Sequence, residues 1–496
     1  MGNFESLVYF IPEFILTGTV LILILIDLML KEKDSGKLAY FALVGLIGTF
    51  ISLIIIYEKE PISLFNGMLA LDPFSFFFKF LFLLTAFFVV LISTAVKELK
   101  KRKIGEYYYL ILILTLGMFI LSSATTLLTI YISIELVSIT SYILAGYLKE
   151  SRRSSEAALK YVIYGAFSSG IMLYGMSLLY GLTGSIHIAE INEKLLLYSS
   201  DKLTVILSIL FILAGFGYKI ASVPFHFWSP DVYEGAPTPF TAFLSVGPKA
   251  AGFAVIIRFF NIAMISSGNP NLTLWSSLED INWPQILAAI SAVTMTLGNL
   301  IAIKQNNLKR LFAYSSIAHA GYTLMGVVLL SRQGIFAVLF YLVAYYLMNL
   351  GAFFVVVTVA NELETEDINA YTGLAYRAPF LSVSMAIFLF SLTGIPPTAG
   401  FIGKFYLFAA LIKGGSEYYW LAIVGILNSV ISLYYYARIL KFMILRVPDI
   451  KAEVLKPSSL CMAVIGILIV PTIILGIYWA PLADFANFSI NLLIGK

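Results

Sequence analysis

Cysteine, histidine and charge are all scarce in this chain of 496 residues. The single cysteine, Cys461, excludes an internal disulfide and a cysteine-ligated iron–sulfur cluster. The three histidines (His187, His226 and His319) are too few for the bis-histidine haem sites usual in membrane proteins. Charged residues make up 12% of the chain, whereas a soluble domain has roughly 25%. We therefore expect neither a water-soluble fold nor a redox centre within this chain.

Apolar residues make up 60% of the chain, and its mean hydropathy is +0.92. A membrane-spanning helix needs about 20 mostly apolar residues. About fourteen such runs are predicted, near residues 7–30, 38–57, 74–96, 107–122, 125–148, 157–181, 202–229, 240–265, 283–303, 308–330, 334–361, 379–413, 418–446 and 456–482. The loops between them are too short for a soluble domain, so residues 1–496 are predicted to form a single all-α, polytopic membrane domain.

The positive charges between the predicted helices lie mainly on one side of the membrane. Cytoplasmic loops carry an excess of lysine and arginine. Loops after odd-numbered helices hold Lys31, Lys33, Lys37, Lys97, Lys100, Lys101, Arg102, Lys103, Lys149, Arg152, Arg153, Lys304, Lys309, Arg310, Arg446, Lys451 and Lys456. Loops after even-numbered helices hold little beyond Lys59, Lys194, Lys202, Arg332 and Lys413. The odd-numbered loops are therefore predicted to be cytoplasmic, with both termini on the other side.

A few ionisable residues lie inside the apolar runs: Glu135, Lys160, Lys219, Lys249, Arg258, His319 and Lys404. Each charge at a helix centre costs about 2.5–3.5 kcal/mol on insertion scales, so four near the midplane cost on the order of 10 kcal/mol before pairing. These residues must pair with one another, line a hydrated path, or both. For Arg258 and Lys160, nearer to helix ends, plain ion pairing or snorkelling is an equally good explanation.

Two of the lysines lie beside prolines that interrupt the helical pattern. Lys219 precedes Pro224, and Lys404 follows Pro396 and Pro397. Proline removes an amide donor and clashes with the carbonyl group four residues earlier. The carbonyl groups predicted to be freed are those of Ile220, Leu392 and Thr393. Broken helices next to a charge point to an ion path, because freed backbone is tolerated at membrane depth only inside protein or beside water.

The spacing of these residues suggests an internal repeat. Lys219 and Lys404 are about 185 residues apart, and Glu135 and His319 about 184. If helices 4–8 and 9–13 are the repeat units, each has five helices and the two enter the membrane from opposite sides. The sequence thus predicts an inverted repeat with discontinuous helices 7 and 12. The predicted divisions are residues 1–106 (helices 1–3), 107–265 (first repeat), 283–446 (second repeat) and 456–482 (last helix).

No sequence feature supplies energy for moving charge across a membrane. The chain has neither a Walker-type phosphate-binding motif nor a dinucleotide fingerprint. Burial disfavours the charged form of a lysine, and a carboxylate within roughly 4–6 Å favours it. Movement of Glu135 relative to Lys219 would therefore load or unload a proton, which Lys249, His319 and Lys404 could pass on. The energy must then come from an ion gradient or from partner subunits.

Two long motifs around these residues resemble the antiporter-like membrane subunits of respiratory complex I, the proton-translocating NADH:quinone oxidoreductase. The run KIASVPFHFWSPDVYEGAPTP from Lys219 to Pro239 is similar to the motif of the subunit N branch of that family. The run GIPPTAGFIGKF from Gly394 to Phe405 also fits that branch, because its lysine stands where the largest relative usually carries a glutamate. The run AHAGY around His319 matches the family's tenth helix. The resemblance covers essentially the whole chain.

The resemblance implies fourteen transmembrane helices, the same inverted repeat and the same broken helices. It also implies roles for single residues. Glu135 and Lys219 match the family's coupled ion pair. Lys249 matches the connecting residue in helix 8, and Lys404 the terminal residue facing the other side. Lys160 resembles a further basic residue of helix 6 with a possible part in proton transfer.

Three other residues of the first motif are not expected to carry protons. His226, Asp231 and Glu234 follow the proline that breaks helix 7. We expect them to cap the half-helix or to shape the loop.

The resemblance also implies the surroundings of the chain. NADH, FMN, iron–sulfur clusters and quinone would belong to neighbouring subunits, with no cofactor or metal bound to this chain. The expected partners are the other membrane-arm subunits, including the other antiporter-like subunits and small membrane subunits, and the lipid bilayer, but no nucleic acid. The expected location is the bacterial cell inner membrane.

Two other functions are open on the sequence alone. A cation/proton antiporter subunit of the multisubunit Mrp type would share the core lysines and glutamate, but would be expected to lack the motif from Asp231 to Pro237. A subunit that only seals and braces the membrane arm would tolerate a neutral residue in place of Lys219.

Overall fold

The computed structural model of the protein describes residues 1–57, 60–100, 104–198, 201–264, 282–447 and 454–491. Position 265, at the end of one predicted span, and the loop cations Lys59, Lys101, Arg102, Lys103 and Lys451 lie outside the described residues. Thirteen of the described helices are long and apolar enough to cross a membrane. Two shorter helices in tandem, Pro379–Thr393 and Ala399–Gly414, form a fourteenth crossing. The predicted all-α fold of fourteen crossings is thereby confirmed.

The membrane helices coincide with the predicted runs. They are α1 (Ile11–Met29), α2 (Leu38–Ile55), α3 (Pro73–Ser93), α4 (Gly105–Ser123), α5 (Leu127–Ala145), α6 (Arg152–Thr183), α7a (Lys202–Ile220), α7b (Trp228–Gly235), α8 (Thr238–Ala263), α9 (Trp283–Ala302), α10 (Leu308–Val328), α11 (Arg332–Leu363), α12a (Pro379–Thr393), α12b (Ala399–Gly414), α13 (Tyr419–Leu440) and α14 (Ser459–Ile477).

The remaining regular structure is short and lies in the connections. Two strands, β1 (Ile62–Leu64) and β2 (Leu69–Leu71), form an antiparallel hairpin between α2 and α3. The short helices are Asn3–Tyr9, Glu32–Lys37, Lys97–Lys100, Ile188–Tyr198, Ile368–Tyr371, Leu374–Arg377, Ser416–Tyr418, Lys441–Leu445 and Ala480–Phe488.

Both predicted helix breaks are present. The C-cap residues are Ala221 for α7a and Gly394 for α12a, and both have left-handed backbone conformations, with φ of 57° and 90°. A proline follows three residues after each cap, Pro224 in the first break and Pro397 in the second, and each is joined to its predecessor by a cis peptide bond. Helix resumes at Trp228 and Ala399. Helices 7 and 12 are therefore both discontinuous, as the prolines predict.

The two five-helix repeats also match in local detail. α6 and α11 each contain 32 residues and each end at a residue in the left-handed conformation. An antiparallel bridge joins Thr126, the N-cap of α5, to His187 after α6. An equivalent bridge joins Asn307, the N-cap of α10, to Asp367 after α11. These shared details support the inverted repeat of helices 4–8 and 9–13.

The residue pairs predicted from spacing do not match the register of the repeat. Glu135 is the ninth residue of α5, and the ninth residue of α10 is Ser316. His319 is one turn further on and corresponds to Ser138 of α5. The equal spacing of the two predicted pairs is therefore a coincidence, because the lengths of the loops and helices differ between the repeats.

The two lysines of the broken helices are not equivalent either. Lys219 lies two residues before the cap of α7a, a position that Leu392 occupies in α12a. Lys404 lies ten residues after the cap of α12a, a position that Asp231 occupies in α7b. One lysine thus belongs to the half-helix before its break and the other to the half-helix after it.

The interior of the bundle is formed by α8, α10 and α11, which are almost completely buried. α9 packs against α10 with close backbone contact, because a glycine on each helix faces the backbone of the other. A Cβ atom at Gly321 would lie 2.6 Å from the amide nitrogen of Met295, and one at Gly298 would lie 2.6 Å from that of Ala318. Small residues allow such close approach between membrane helices. This packing positions α10, which carries His319 and Ser316, at the centre.

Candidate functional site

The first part of the site lies where α5, α6 and α7a meet. Glu135 is half-buried and its Oε1 accepts a hydrogen bond from the hydroxyl of Ser169. Lys219 is buried, and its Nζ donates to Oγ of Ser138, 3.1 Å away. Glu135 and Lys219 interact electrostatically. They do not form an ion pair within 4.0 Å, since each is held by a serine hydroxyl instead.

The second part is Lys249 on α8, which contacts α10. Its Nζ donates to the backbone oxygen of Ser316 at 2.7 Å and also to the hydroxyl of Ser316. The same hydroxyl accepts a hydrogen bond from Tyr345 at 2.9 Å and lies 3.4 Å from the hydroxyl of Tyr233. All four side chains are buried. Ser316, the register equivalent of Glu135, is therefore the residue through which Lys249 joins the second repeat.

The third part is His319, which is surrounded by tyrosines. Its Nδ1 is hydrogen-bonded to the hydroxyl of Tyr341, and its Nε2 lies 3.3 Å from the hydroxyl of Tyr436. The ring of Tyr345 lies 5.1 Å from the imidazole, centroid to centroid. Tyr345 therefore contacts both His319 and the serine that binds Lys249. A neutral imidazole has one donor and one acceptor nitrogen, so this environment can hold a proton on either side of the ring.

The fourth part is Lys404 on α12b, which binds a backbone oxygen at the break in helix 12. Its Nζ donates to the backbone oxygen of Thr393 at 2.9 Å and to Oγ of Ser429 at 3.2 Å. The Thr393 oxygen is one of the carbonyl groups that the prolines were expected to free. The ammonium group also lies 4.4 Å from the centre of the Tyr322 ring, and a cavity of about 280 Å³ adjoins it. Lys404 is thus buried but has open space beside it.

These groups, here called the row, lie on helices that pack against one another in turn: α7a against α8, α8 against α10, and α10 against α12b. Three lysines and one histidine are each at most 4% exposed. Each is bound by hydroxyl or carbonyl oxygens, and none forms an ion pair with a carboxylate within 4.0 Å in the part of the chain that the structure describes. Such oxygens accept hydrogen bonds from both the charged and the neutral form of an amine, so each group can gain or lose a proton without losing its position.

Lys160 lies apart from this row. Its Nζ forms ion pairs with Asp231 at 2.6 Å and with Glu156 at 2.7 Å, and 38% of its side chain is exposed. Arg310 of α10 binds both Asp231 and Glu234 of α7b. These side chains form an ionic cluster that ties half-helix α7b to α6 and α10. Its contacts give Lys160 two charged partners, unlike the three lysines of the row.

The motif residues after Pro224 do not cap half-helix α7b with a side chain, and two of them form ion pairs instead. Asp231 and Glu234 belong to the ionic cluster described above. The carbonyl oxygen of Ala236, at the end of α7b, accepts a hydrogen bond from Nζ of Lys309 at 2.7 Å. His226 is buried beside the break, 6% exposed. Cations thus occupy the C-terminal end of α7b, where the helix dipole favours them.

Arg258 and two groups that the sequence did not single out form buried ion pairs. Arg258 is fully buried and binds both carboxylate oxygens of Asp72, at 2.8 and 2.9 Å. Lys79 of α3 binds Glu13 of α1 at 2.7 Å, with both side chains almost completely buried. Arg258 is therefore an ion-pair residue, which was one of the two explanations open on the sequence.

The sequence analysis also missed most of the polar partners in the row. Ser138, Ser316 and the surrounding tyrosines carry no charge, so the search for charges in apolar runs could not find them. A weaker signal was available in α11, where Tyr341 and Tyr345 are four residues apart and therefore share a helix face. Lys79 and Glu13 also lie inside predicted apolar runs, so their charges were a signal for this buried ion pair.

Sequence comparisons place the chain among membrane subunits of known complexes. A profile of the family described as "NADH:quinone oxidoreductase/Mrp antiporter, TM" matches residues 124–432. The chain is 48% identical over 491 residues to the NADH-quinone oxidoreductase subunit N 2 of Chloroherpeton thalassium, covering 98% of this chain and 94% of that one. It is 44% identical to the NADH-quinone oxidoreductase subunit N of an Anaeromyxobacter species, covering 99% and 98%.

Solved structures show the same architecture. A chain of respiratory complex I from Thermus thermophilus, with bound aureothin, superposes with a TM-score of 0.78 at 29% identity, covering 96% of this chain and 99% of that one. A chain of the Mrp complex from a Dietzia species superposes with a TM-score of 0.80 at 19% identity, covering 99% and 98%. At that identity the second likeness concerns the fold alone.

Proposed function

The chain belongs to the family of NADH:quinone oxidoreductase and Mrp antiporter membrane subunits, and we propose that it moves protons through a row of buried Glu, Lys and His residues in an NADH:quinone oxidoreductase. The two relatives named above match nearly its full length and are subunits N of that enzyme, so the chain is the antiporter-like membrane part of an enzyme complex. The energy for proton movement would come from quinone reduction in other subunits.

The proposed order of transfer follows the contacts. Glu135 and Lys219 form the first exchange pair. Their charges attract each other, although each side chain is hydrogen-bonded to a serine and not to the other residue. Lys249 receives the proton and connects through Ser316 to the second repeat. His319 passes it towards Lys404, which adjoins the cavity near the break in helix 12. Glu135, Lys219, Lys249, His319 and Lys404 are thus the proposed proton carriers.

One observation carries this proposal: the three buried lysines lack a carboxylate within 4.0 Å, in contrast to the other buried cations of the described chain. Arg258 and Lys79 are each paired with a carboxylate at 2.7–2.8 Å. A buried pair of that kind keeps its charge, because losing a proton would leave the partner uncompensated. A buried lysine held by neutral oxygens is much less restrained, so it can exchange protons as its surroundings change.

Lys160 is assigned a different part. The ion pairs with Glu156 and Asp231 hold its charge in place. Its contacts support a role in positioning half-helix α7b rather than the transfer role that the family resemblance suggested.

The surroundings of the chain follow from the same assignment. The outer face of α5 exposes Leu128, Ile132 and Ile139 beside Glu135, and α12b exposes Phe405 beside Lys404. Other membrane-arm subunits, including antiporter-like ones, would pack on these faces. NADH, FMN, iron–sulfur clusters and quinone would be bound by other subunits. We place the complex in the bacterial cell inner membrane, with both termini of this chain on the non-cytoplasmic side and residues 1–496 acting as one membrane domain.

The test is replacement of Lys219→Ala in membranes where assembly of the complex is confirmed. NADH-driven proton uptake and its dependence on sodium are measured together, and we expect uptake per electron to fall. The double variant Glu13→Gln/Lys79→Met is a matched control, because it removes a buried lysine outside the row without leaving a buried charge. Undiminished proton uptake in Lys219→Ala would overturn the proposal and favour a subunit that only seals the membrane.

The antiporter function of the Mrp type is the second candidate. It is supported by the shared fold. Loss of sodium exchange that does not depend on NADH, in the same Lys219→Ala membranes, would favour it.

A further inference from the structure

A chain of polar side chains in contact connects the surroundings of His319 to Lys404, and it passes through one amide. Tyr436, which contacts His319, lies beside Tyr435, with ring centroids 4.4 Å apart. Tyr435 donates from its hydroxyl to Oδ1 of Asn299 at 2.9 Å. Nδ2 of Asn299 donates to the hydroxyl of Tyr322 at 3.3 Å. Asn299 on α9 therefore joins the tyrosines beside His319 to Tyr322, whose ring also lies 5.7 Å from that of His319, centroid to centroid.

The far end of the chain reaches Lys404. Oγ of Ser429 lies 3.5 Å from the hydroxyl of Tyr322 and accepts a hydrogen bond from Nζ of Lys404 at 3.2 Å. Lys404 also lies over the ring of Tyr322. The side chains of Tyr322, Tyr435 and Asn299 are fully buried. These contacts leave little room for water to replace them.

The orientation of the Asn299 amide is determined by a second amide. Nδ2 of Asn299 donates to Oδ1 of Asn428 at 3.1 Å. Nδ2 of Asn428 in turn donates to Oγ1 of Thr296 and to the backbone oxygen of Val424, both at 3.0 Å. Since Asn428 must present its oxygen to Asn299, the nitrogen of Asn299 points to Tyr322 and its oxygen to Tyr435.

An amide in this position stops a proton relay. A hydroxyl, an imidazole, a carboxylate or a water molecule can accept a proton on one side and release one on the other. A carboxamide accepts at its oxygen and donates from its nitrogen, and its nitrogen has no lone pair available to take the proton back. A proton handed to Oδ1 of Asn299 from Tyr435 therefore has no ordinary route to Tyr322.

We propose that Asn299 is a positioning residue that blocks proton leak along the hydrogen bonds from Tyr435 to Tyr322, so that transfer from His319 to Lys404 has to use the direct contact between His319 and Tyr322, whose ring centroids are 5.7 Å apart. It holds Tyr435 and Tyr322 in a connected network, yet keeps that network from conducting. The inference rests on the proposed proton row, because the barrier matters only if His319 and Lys404 carry protons. A pump needs such a barrier, since an uninterrupted path would let protons return down their gradient.

Substitutions at Asn299 test the barrier in the assembled complex, reconstituted in proteoliposomes. Asn299→Asp supplies a carboxylate that can relay a proton, and Asn299→Ser supplies a hydroxyl that can do so without added charge. After NADH-driven turnover is stopped, the pH gradient should collapse about tenfold faster in both variants, a change that corresponds to a barrier lower by about 1.4 kcal/mol. Electron transfer from NADH to quinone should be retained.

Asn428→Asp is the matched control. It places a carboxylate in the same polar cluster, but Asn428 does not lie between Tyr435 and Tyr322. A gradient that stays as tight as in the wild type in both Asn299 variants would overturn the inference. An equal leak in Asn428→Asp, or failure of both Asn299 variants to assemble while Asn428→Asp assembles, would assign Asn299 to packing and overturn it as well.

Lys404→Met separates this inference from the proposed function. Normal proton uptake in Lys404→Met would refute the proposed row. Loss of uptake in Lys404→Met together with a tight gradient in Asn299→Asp would refute only the barrier. In the double variant Asn299→Asp/Lys404→Met the leak should disappear, because the carboxylate would no longer lead to a proton-accepting lysine.

Discussion

Replacement of Arg258→Met is expected to destabilise the protein without removing a proton carrier. The guanidinium group is fully buried and binds both carboxylate oxygens of Asp72, at 2.8 and 2.9 Å, and the backbone oxygen of Ser122 at 2.9 Å. It therefore joins α8 to the start of α3 and to the end of α4. Its ring contact with Phe74 adds packing on one face.

The magnitude follows from the burial of the pair. Removing one member of a buried ion pair costs about 3–5 kcal/mol, because the other charge stays in a medium that cannot solvate it. The stability of an ordinary domain is roughly 5–15 kcal/mol, so the loss is a large part of the total. Asp72 would still cap α3 through the amide of Ser75, 2.8 Å from its Oδ1.

The assay is thermal unfolding of the purified complex, combined with proton uptake per electron in the fraction that assembles. The Arg258→Met complex should unfold at a clearly lower temperature, with unchanged uptake per electron. The double variant Asp72→Asn/Arg258→Met should recover most of the stability, because it removes the stranded charge and keeps the helix cap. Normal stability with reduced uptake would refute this reasoning and place Arg258 in the proton row.

Three further changes test other parts of the structure. Glu13→Gln should lower the unfolding temperature by stranding the Lys79 ammonium group, 2.7 Å from Glu13 in the wild type, and the added change Lys79→Met should restore it. Lys160→Met should lower the free energy of unfolding by about 1 kcal/mol or less, because the ion pair with Asp231 is partly exposed. A marked fall in proton uptake per electron would contradict this and assign Lys160 to proton transfer. Gly321→Ala should destabilise the complex by about 1–3 kcal/mol through overpacking, since its Cβ would meet the α9 backbone at Met295, whereas Gly181→Ala, with open space around its Cβ, should not.

Much of the fold was predictable because the bilayer imposes simple requirements. Each crossing must be a run of about 20 apolar residues, and each of the fourteen predicted runs overlaps an observed membrane helix. The breaks in helices 7 and 12 were predictable from Pro224 and Pro397, since proline cannot keep the hydrogen bond of a continuous helix. The proposed carriers could be named from the sequence because a charge in an apolar run is costly and rarely accidental.

The register of the repeat was not predictable from spacing. Two distances of almost equal length suggested that Glu135 pairs with His319 and Lys219 with Lys404. Counted from the helix caps, the counterpart of Glu135 is Ser316 on α10, and the counterpart of His319 is Ser138 on α5. A difference of a few residues in loop and helix length shifts the register, and a composition count cannot detect it.

The sequence by itself therefore determined the membrane class, the number of crossings, the two broken helices and the charged residues of the row. Each of these features depends on a few consecutive residues, because the hydropathy of a run and the position of a proline are properties of the local sequence. Only the tertiary structure decided which partner each charge has. Arg258 forms an ion pair with Asp72, 186 positions away along the chain, whereas Lys249 forms hydrogen bonds with the neutral Ser316. The separation between an ion pair that holds helices together and a lysine free to exchange protons depends on that packing.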